Sequence, residues 1–250
     1  MNINSFTRSE IEEGLLAARY GQTLMSNPVR IIFSPVDINE SNFKDVCNSY
    51  SHLRKNDFDT VVVIESIPGS NQKKLQMPSN KVFSTSLGEV AVNDRLRNEL
   101  CDEDDDFFIE DETYSENLSL YNQLMMLQCT LDDFTVLSLQ ITDESSFIIK
   151  ELAYALEHIL AARNALIVFC CDLTDYNGHL NTIVEMVQDR KIPGLMNYLN
   201  SEGKKAEGIG ALFAGLLVAD EWGLKLHFNQ DHQSETVSAF AEMQKQPIFG

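Results

Sequence analysis

Asp172 and His179 form the best acid–base pair the chain offers, with Asp175 between them. A carboxylate near an imidazole is the usual equipment for moving a proton. A histidine that opens a helix is nevertheless more often structural, and no catalytic residue is assigned. His158 lies on a helical pattern and His52 near a helix end, so both read as surface or boundary residues. His227 and His232 flank a strand end, with no partner identifiable in the sequence. Nucleophile signatures are missing: there is no Gly-x-Ser-x-Gly, no cysteine with an upstream histidine motif, and no phosphate-cradling glycine loop. Gly208-Ile-Gly210 matches part of a dinucleotide fingerprint but lacks its third glycine and a clear preceding strand, so close helix packing accounts for it better. The five cysteines (Cys47, Cys101, Cys129, Cys170 and Cys171) have no CxxC spacing. Cys170-Cys171 ends an apolar run, where buried free thiols are common.

The elements that must position these groups alternate between strand and helix. Val29–Ser34 and Thr60–Glu65 are short β-branched runs, and the second is apolar on both faces, as a strand covered on two sides should be. Between them, Phe43, Val46, Tyr50 and Leu53 make a helical stripe over Ser41–Lys55. Phe134–Ile141, a helix over Ser145–Arg163 and Ala165–Cys171 form a second strand–helix–strand unit. Such units lay parallel strands in one sheet with helices on its faces. Ser9 with Glu12 is a plausible capping box for a helix running to about Met25. Glu207–Trp222 predicts a helix rich in small residues, able to lie close to a sheet, and Leu224–Phe228 and Glu235–Ala241 predict closing strands. The expected fold is α/β, with a mostly parallel or mixed central sheet and helices on both faces. No linker or repeat divides residues 1–250, so one domain is expected, with residues 1–28 as an N-terminal helix and lead-in.

Charge narrows the partners. The formal net charge is −19, which repels phosphate backbones and anionic headgroups. The densest basic groupings are adjacent pairs such as Lys73-Lys74 and Lys204-Lys205, so neither nucleic acid nor membrane is an expected partner. The acidic run Asp102–Asp106 with Glu110–Glu112 reads as a solvated loop. No basic segment leads into an apolar one at the N-terminus, and no apolar stretch is long enough to span a bilayer. A reducing cytoplasm is the expected location.

The order of several short blocks resembles the Memo family, whose members share a fold with the class III extradiol dioxygenases of the LigB type. Phe58-Asp-Thr-Val-Val-Val-Ile-Glu65 followed by Thr85-Ser-Leu-Gly-Glu-Val-Ala-Val-Asn93 is similar to a strand ending in Gly-Pro-Ser-His and a later Thr-Pro-Leu-Gly. Glu110-Asp-Glu-Thr-Tyr-Ser-Glu116 resembles an acidic stretch leading to Glu-His-Ser and a second Glu. Cys170-Cys-Asp-Leu-Thr-Asp-Tyr176 resembles Ser-Ser-Asp-x-x-His-Tyr. Glu207-Gly-Ile-Gly-Ala-Leu212 stands where Cys-Gly-x-x-Pro-Ile opens a helix, and Thr236-Val-Ser-Ala-Phe-Ala241 where Val-x-Tyr-Ala-Ala closes the sheet. The blocks run from about Val29 to Ala241.

The resemblance implies a metal cleft, and the departures from it imply that the metal is gone. The histidine of Pro-His-Ala-Gly falls on Val36, that of Gly-Pro-Ser-His on Pro68, that after the retained aspartate on Asp175, and that of Glu-His-Ser near Thr113. The cysteine before the helix glycine falls on Glu207. Asp172 is kept, with Glu116 as a second. Valine and proline have no lone pair to give, and losing imidazole and thiolate removes what iron, copper or zinc would need. No metal or cofactor is therefore expected, apart from a hard divalent cation as the minor possibility if Asp37, Asp172, Asp175 and Glu207 face one cleft. The resemblance then implies a non-catalytic binding or scaffold protein with a protein or small-molecule ligand. The alternative is a metal-dependent hydrolase or oxidoreductase on re-purposed carboxylates. Memo-like proteins also occur beside radical-SAM partners in the AmmeMemoRadiSam set, which makes such a partner, or a homo-oligomer, an expectation to test.

Overall fold

A computed structural model of the chain describes residues 3, 6–20, 27–67, 74–111, 119–172, 182, 185–186, 189, 191, 194–195, 197–198, 208–229 and 238–243. Its centre is four parallel strands: β1 (Val29–Ser34), β2 (Thr60–Ser66), β7 (Thr135–Ile141) and β8 (Ala165–Cys170). They lie in the order β7-β2-β8-β1, in register from Thr60 beside both Thr135 and Ala165. β2 and β8 are buried at every position, which is why their sequences are continuous apolar runs rather than alternations. The sheet grows outward from this centre to eight strands. β3 (Leu75–Met77) joins β7 antiparallel and carries β6 (Phe107–Ile109) beyond it. On the other side, β10 (Ser238–Met243) joins β1 antiparallel and carries β9 (Leu224–Asn229). The sheet is thus mixed with a parallel heart, as the alternating pattern predicts. A separate hairpin, β4 (Val82–Thr85) and β5 (Gly88–Ala91), turns at Gly88, whose φ of 128° suits glycine.

Period-2 alternation along each central strand sends neighbouring side chains to opposite faces. Ile31, Val62, Ile64, Leu137, Leu139 and Ile167 meet one helical layer. That layer holds α3 (Asp94–Glu103), α5 (Ser146–Leu160) and a sixth helix, α6 (Ile209–Glu221). Ile32, Val61, Val63, Val136, Leu166 and Val168 meet α1 (Arg8–Tyr20), α2 (Phe43–Tyr50) and α4 (Ser119–Thr130) on the other face. Two cores separated by one sheet make the helix–sheet–helix sandwich.

Several boundaries differ from the expectation. The helix expected over Ser41–Lys55 ends at Tyr50, after which Leu53 N–H bonds Tyr50 O and Arg54 N–H bonds the Asp57 carboxylate. The N-terminal capping box is Thr7 with Glu10, not Ser9 with Glu12. Thr7 N–H donates to Glu10 Oε2 at 2.7 Å and Glu10 N–H to Thr7 Oγ1 at 3.3 Å, while Ser9 Oγ turns to Glu13. Of the predicted strand Glu235–Ala241, residues 235–237 lie outside the described set. α4 has no amphipathic stripe because it is buried nearly all round. The acidic run is only partly a solvated loop. Asp102 and Glu103 end α3, Asp106 pairs with Lys74 at 3.0 Å, and Asp111 accepts the Ser79 amide at 2.7 Å.

Candidate site at the strand ends

The carboxyl ends of β1, β2, β7 and β8 point the same way, and in open α/β sheets that is where ligands bind. β1 leaves the sheet as Cys171 N–H bonds Ser34 O at 2.9 Å. The next three residues are held by amide side chains, two from α4 and one from the residue before α2. Gln123 Nε2 donates to Pro35 O at 3.0 Å, Asn122 Nδ2 to Val36 O at 3.0 Å, and Asn42 Nδ2 to Asp37 O at 2.8 Å. Gln123 Oε1 in turn accepts the buried Tyr50 hydroxyl at 2.6 Å. Val36 is half-buried against the α1, α2 and α4 core, and Asp37 is exposed, with its Oδ1 3.4 Å from Asn122 Nδ2. The loop that stands where the resemblance places a ligand histidine is therefore pinned by its backbone carbonyls and presents valine.

β2 ends on a carboxylate that sequence reasoning passed over. Glu65 is buried, and its Oε2 accepts Ser119 N–H at 3.1 Å and the Ser119 hydroxyl. Its Oε1 accepts Gln140 Nε2 at 3.2 Å from β7. Ser119 opens α4, so Glu65 caps that helix from the sheet, where the helix dipole favours a negative charge. Burial nevertheless pushes its carboxyl pKa up, with the Ser119 and Gln140 hydrogen bonds opposing the shift. The Cys170 thiol is pushed well above its ordinary range by burial and then by Glu65. Burial, with Asp172 next, raises the Cys171 thiol to about 12. Both are packed thiols, not thiolate nucleophiles. Counting back from Pro68, Glu65 stands at the first residue of the family's Gly-Pro-Ser-His. A charged residue ending the run Val61–Ile64 was the available signal.

A second carboxylate fills the other helix that reaches this end. Glu144 Oε1, in the loop after β7, accepts the Ser66 hydroxyl at 2.6 Å and the Gly210 amide at 2.9 Å in the first turn of α6. Gly208 caps α6 at φ 75°, and a Cβ there would collide with Cys170 O and lie 2.8 Å from Cys171 Cα. At Gly210 a Cβ would lie 2.9 Å from Ser66 Oγ. The two glycines therefore serve close packing, and the amide that a dinucleotide phosphate would need is given to Glu144.

Of the residues singled out from the sequence, the structure places Val36, Asp37 and Asp172 at the ends of the paired strands β1 and β8. Pro68, Glu116, Asp175, His179 and Glu207 lie outside the described residues. Among the described residues no three His, Cys, Asp or Glu side chains converge as a metal-binding group. His227 has the partner the sequence did not show: its Nε2 is 2.9 Å from Glu242 Oε1, and its ring stacks on Phe240. His52 packs against the same Phe240, and burial lowers its pKa. His158 is exposed, as expected. All five cysteines are free, and no described helix is long and apolar enough to cross a membrane.

Fold and site together define a three-layer α/β protein whose four central parallel strands end at one edge of the sheet. The family model for Memo-like proteins matches residues 25–213. The chain belongs to the Memo-like family. It is 22% identical over 184 residues to a MEMO1 family protein of Nitrosopumilus maritimus (strain SCM1), covering 71% of this chain and 67% of that protein. It is 28% identical over 139 residues to a MEMO1 family protein of Thermotoga neapolitana, covering 52% of this chain and 50% of that one.

Proposed function

We propose that this chain is a non-catalytic Memo-like protein that binds a protein or small-molecule ligand, with the carboxyl end of its sheet serving recognition and not metal chemistry. The observation that carries the reading is Glu65. The carboxylate that ends β2 is committed to Ser119 and Gln140, and the loop that ends β1 carries the donor-free side chain of Val36, packed against the core. Iron, copper or zinc would ask this place for nitrogen or sulfur. The described donors do not fit such an ion, so no reaction step is routed through one. Elemental analysis of protein purified without chelators tests the proposal. Iron, copper and zinc each well below one per chain is the expected result, and one equivalent of any of them overturns it.

A second reading has one observation in its favour. Asp37 and Asp172 follow strands that are hydrogen-bonded neighbours, so two carboxylate-bearing positions lie just beyond adjacent strand ends. A hydrolase or oxidoreductase using a hard cation would draw on them. Magnesium, calcium or manganese should then raise the melting temperature, and Asp172→Asn should abolish the rise. The binding-protein reading expects no shift with any of the three.

A further inference from the structure

The outer face of α5 carries two large side chains in water, Phe147 at 61% and Tyr154 at 60% exposure. With Lys150, His158 and Ala161, all exposed, they form one stripe at helical spacing, flanked by the half-buried Glu151 and Glu157. The helix lies between α3 and α6 on its side of the sheet. Nothing in the core needs the stripe, because α5 buries Ile148, Ile149, Leu152, Ala155, Leu156 and Leu160 on the opposite face. Lys74 covers the Phe147 ring at 5.8 Å, and the Tyr154 and His158 rings stack at 6.1 Å. Among the described residues the side chains of Lys150, Glu151 and Glu157 make no ion pair.

We propose that this face is where two copies of the chain associate, with their α5 helices antiparallel about a two-fold axis at Tyr154. The charge pattern is complementary to itself in that arrangement. At the α-helical rise, Lys150 stands about 6 Å before the axis and Glu157 about 4.5 Å after it, on the same flank of the stripe. A two-fold axis across the pair therefore sets Lys150 of one copy against Glu157 of the other, twice. On the opposite flank the same operation sets Glu151 against His158. Along the middle, Tyr154 meets Tyr154, and Phe147 covers the small Ala161. A partner of different sequence would have no reason to place an acidic group opposite Lys150 and a basic group opposite Glu157 at the spacing this helix sets. One helix supplies only part of the roughly 800 Å² per copy of a standard interface, so the flanking helices must add the rest, and the dimer is weak and concentration-dependent.

Sedimentation equilibrium of the full chain from about 10 μM to about 1 mM tests this, with circular dichroism confirming that each variant is folded. Wild type should shift from monomer to dimer across that range, and Tyr154→Arg should remain monomeric. Lys150→Glu and Glu157→Lys should each weaken association by at least about tenfold, because like charges then face each other at two symmetric places. The double variant K150E/E157K should recover it, because the pairs are restored with reversed sign. That recovery separates a lost contact from a damaged fold. A wild type that stays monomeric throughout overturns the proposal. So does a dimer indifferent to Tyr154→Arg, or a double variant no tighter than the single ones.

Discussion

Glu65 brings a carboxylate into a layer of otherwise apolar side chains and offsets the cost of burial with three hydrogen bonds. One intramolecular hydrogen bond is worth a net of about 0.5–1.5 kcal/mol, so Ser119→Ala, which deletes the hydroxyl donor but keeps the backbone one, should destabilise the chain by about that amount in urea unfolding. The pH dependence has a definite sign. Burial holds the folded pKa of Glu65 above its ordinary value near 4.5. What this group contributes is therefore complete below that value and is lost as pH rises through the folded pKa. Glu65→Gln cannot ionise. Its stability relative to wild type should increase between about pH 5 and about pH 8, and a flat difference across that range would mean that Glu65 is not desolvated. The residue was legible only as an oddity, a charge at the end of a central strand. That Ser119, fifty-four residues away in sequence, would meet it could not be read from either segment.

Element boundaries follow local chemistry, and helix α6 shows how far that reaches. Its small residues predicted close approach to the sheet, and the structure supplies the contact. A Cβ on Gly215 would lie 2.5 Å from Phe33 Cε1 and 2.7 Å from Phe169 Cδ2. Gly215→Ala gains helix propensity of about 1 kcal/mol but forces two aromatic rings aside, at a cost of about 1–3 kcal/mol. A small net loss of stability is expected in chemical denaturation. At α1 the same measurement should show Thr7→Ala losing about 1 kcal/mol, and Ser9→Ala nearly nothing, since Thr7 holds the cap with Glu10. The sequence contains both candidate boxes within one turn of each other, and only the observed hydrogen bonds choose between them. Helix α4 was invisible for a different reason. A helix buried on all sides has no polar stripe, so periodicity has nothing to detect.

Net charge acts on the molecule as a whole. A formal −19 on a single chain is self-repulsive, and salt screens such repulsion within about 10 Å at 0.1 M. Raising sodium chloride from about 20 mM to about 300 mM should lift the melting temperature by a few degrees. An unchanged or falling value would mean that internal ion pairs such as Lys74–Asp106 outweigh the repulsion. The residues alone determined the parallel centre of the sheet, four of the helices that cover it (α1, α2, α5 and α6) and the absence of donor atoms at Val36 and Pro68, because hydrophobic period and side-chain chemistry are local properties. Tertiary structure decided the rest: that Glu65 and Glu144 fill the starts of α4 and α6, that Gln123 and Asn122 pin the β1 loop, and that His227 finds Glu242. Most of those pairings join residues far apart in sequence, and their geometry exists only once the sheet has set the register of its strands.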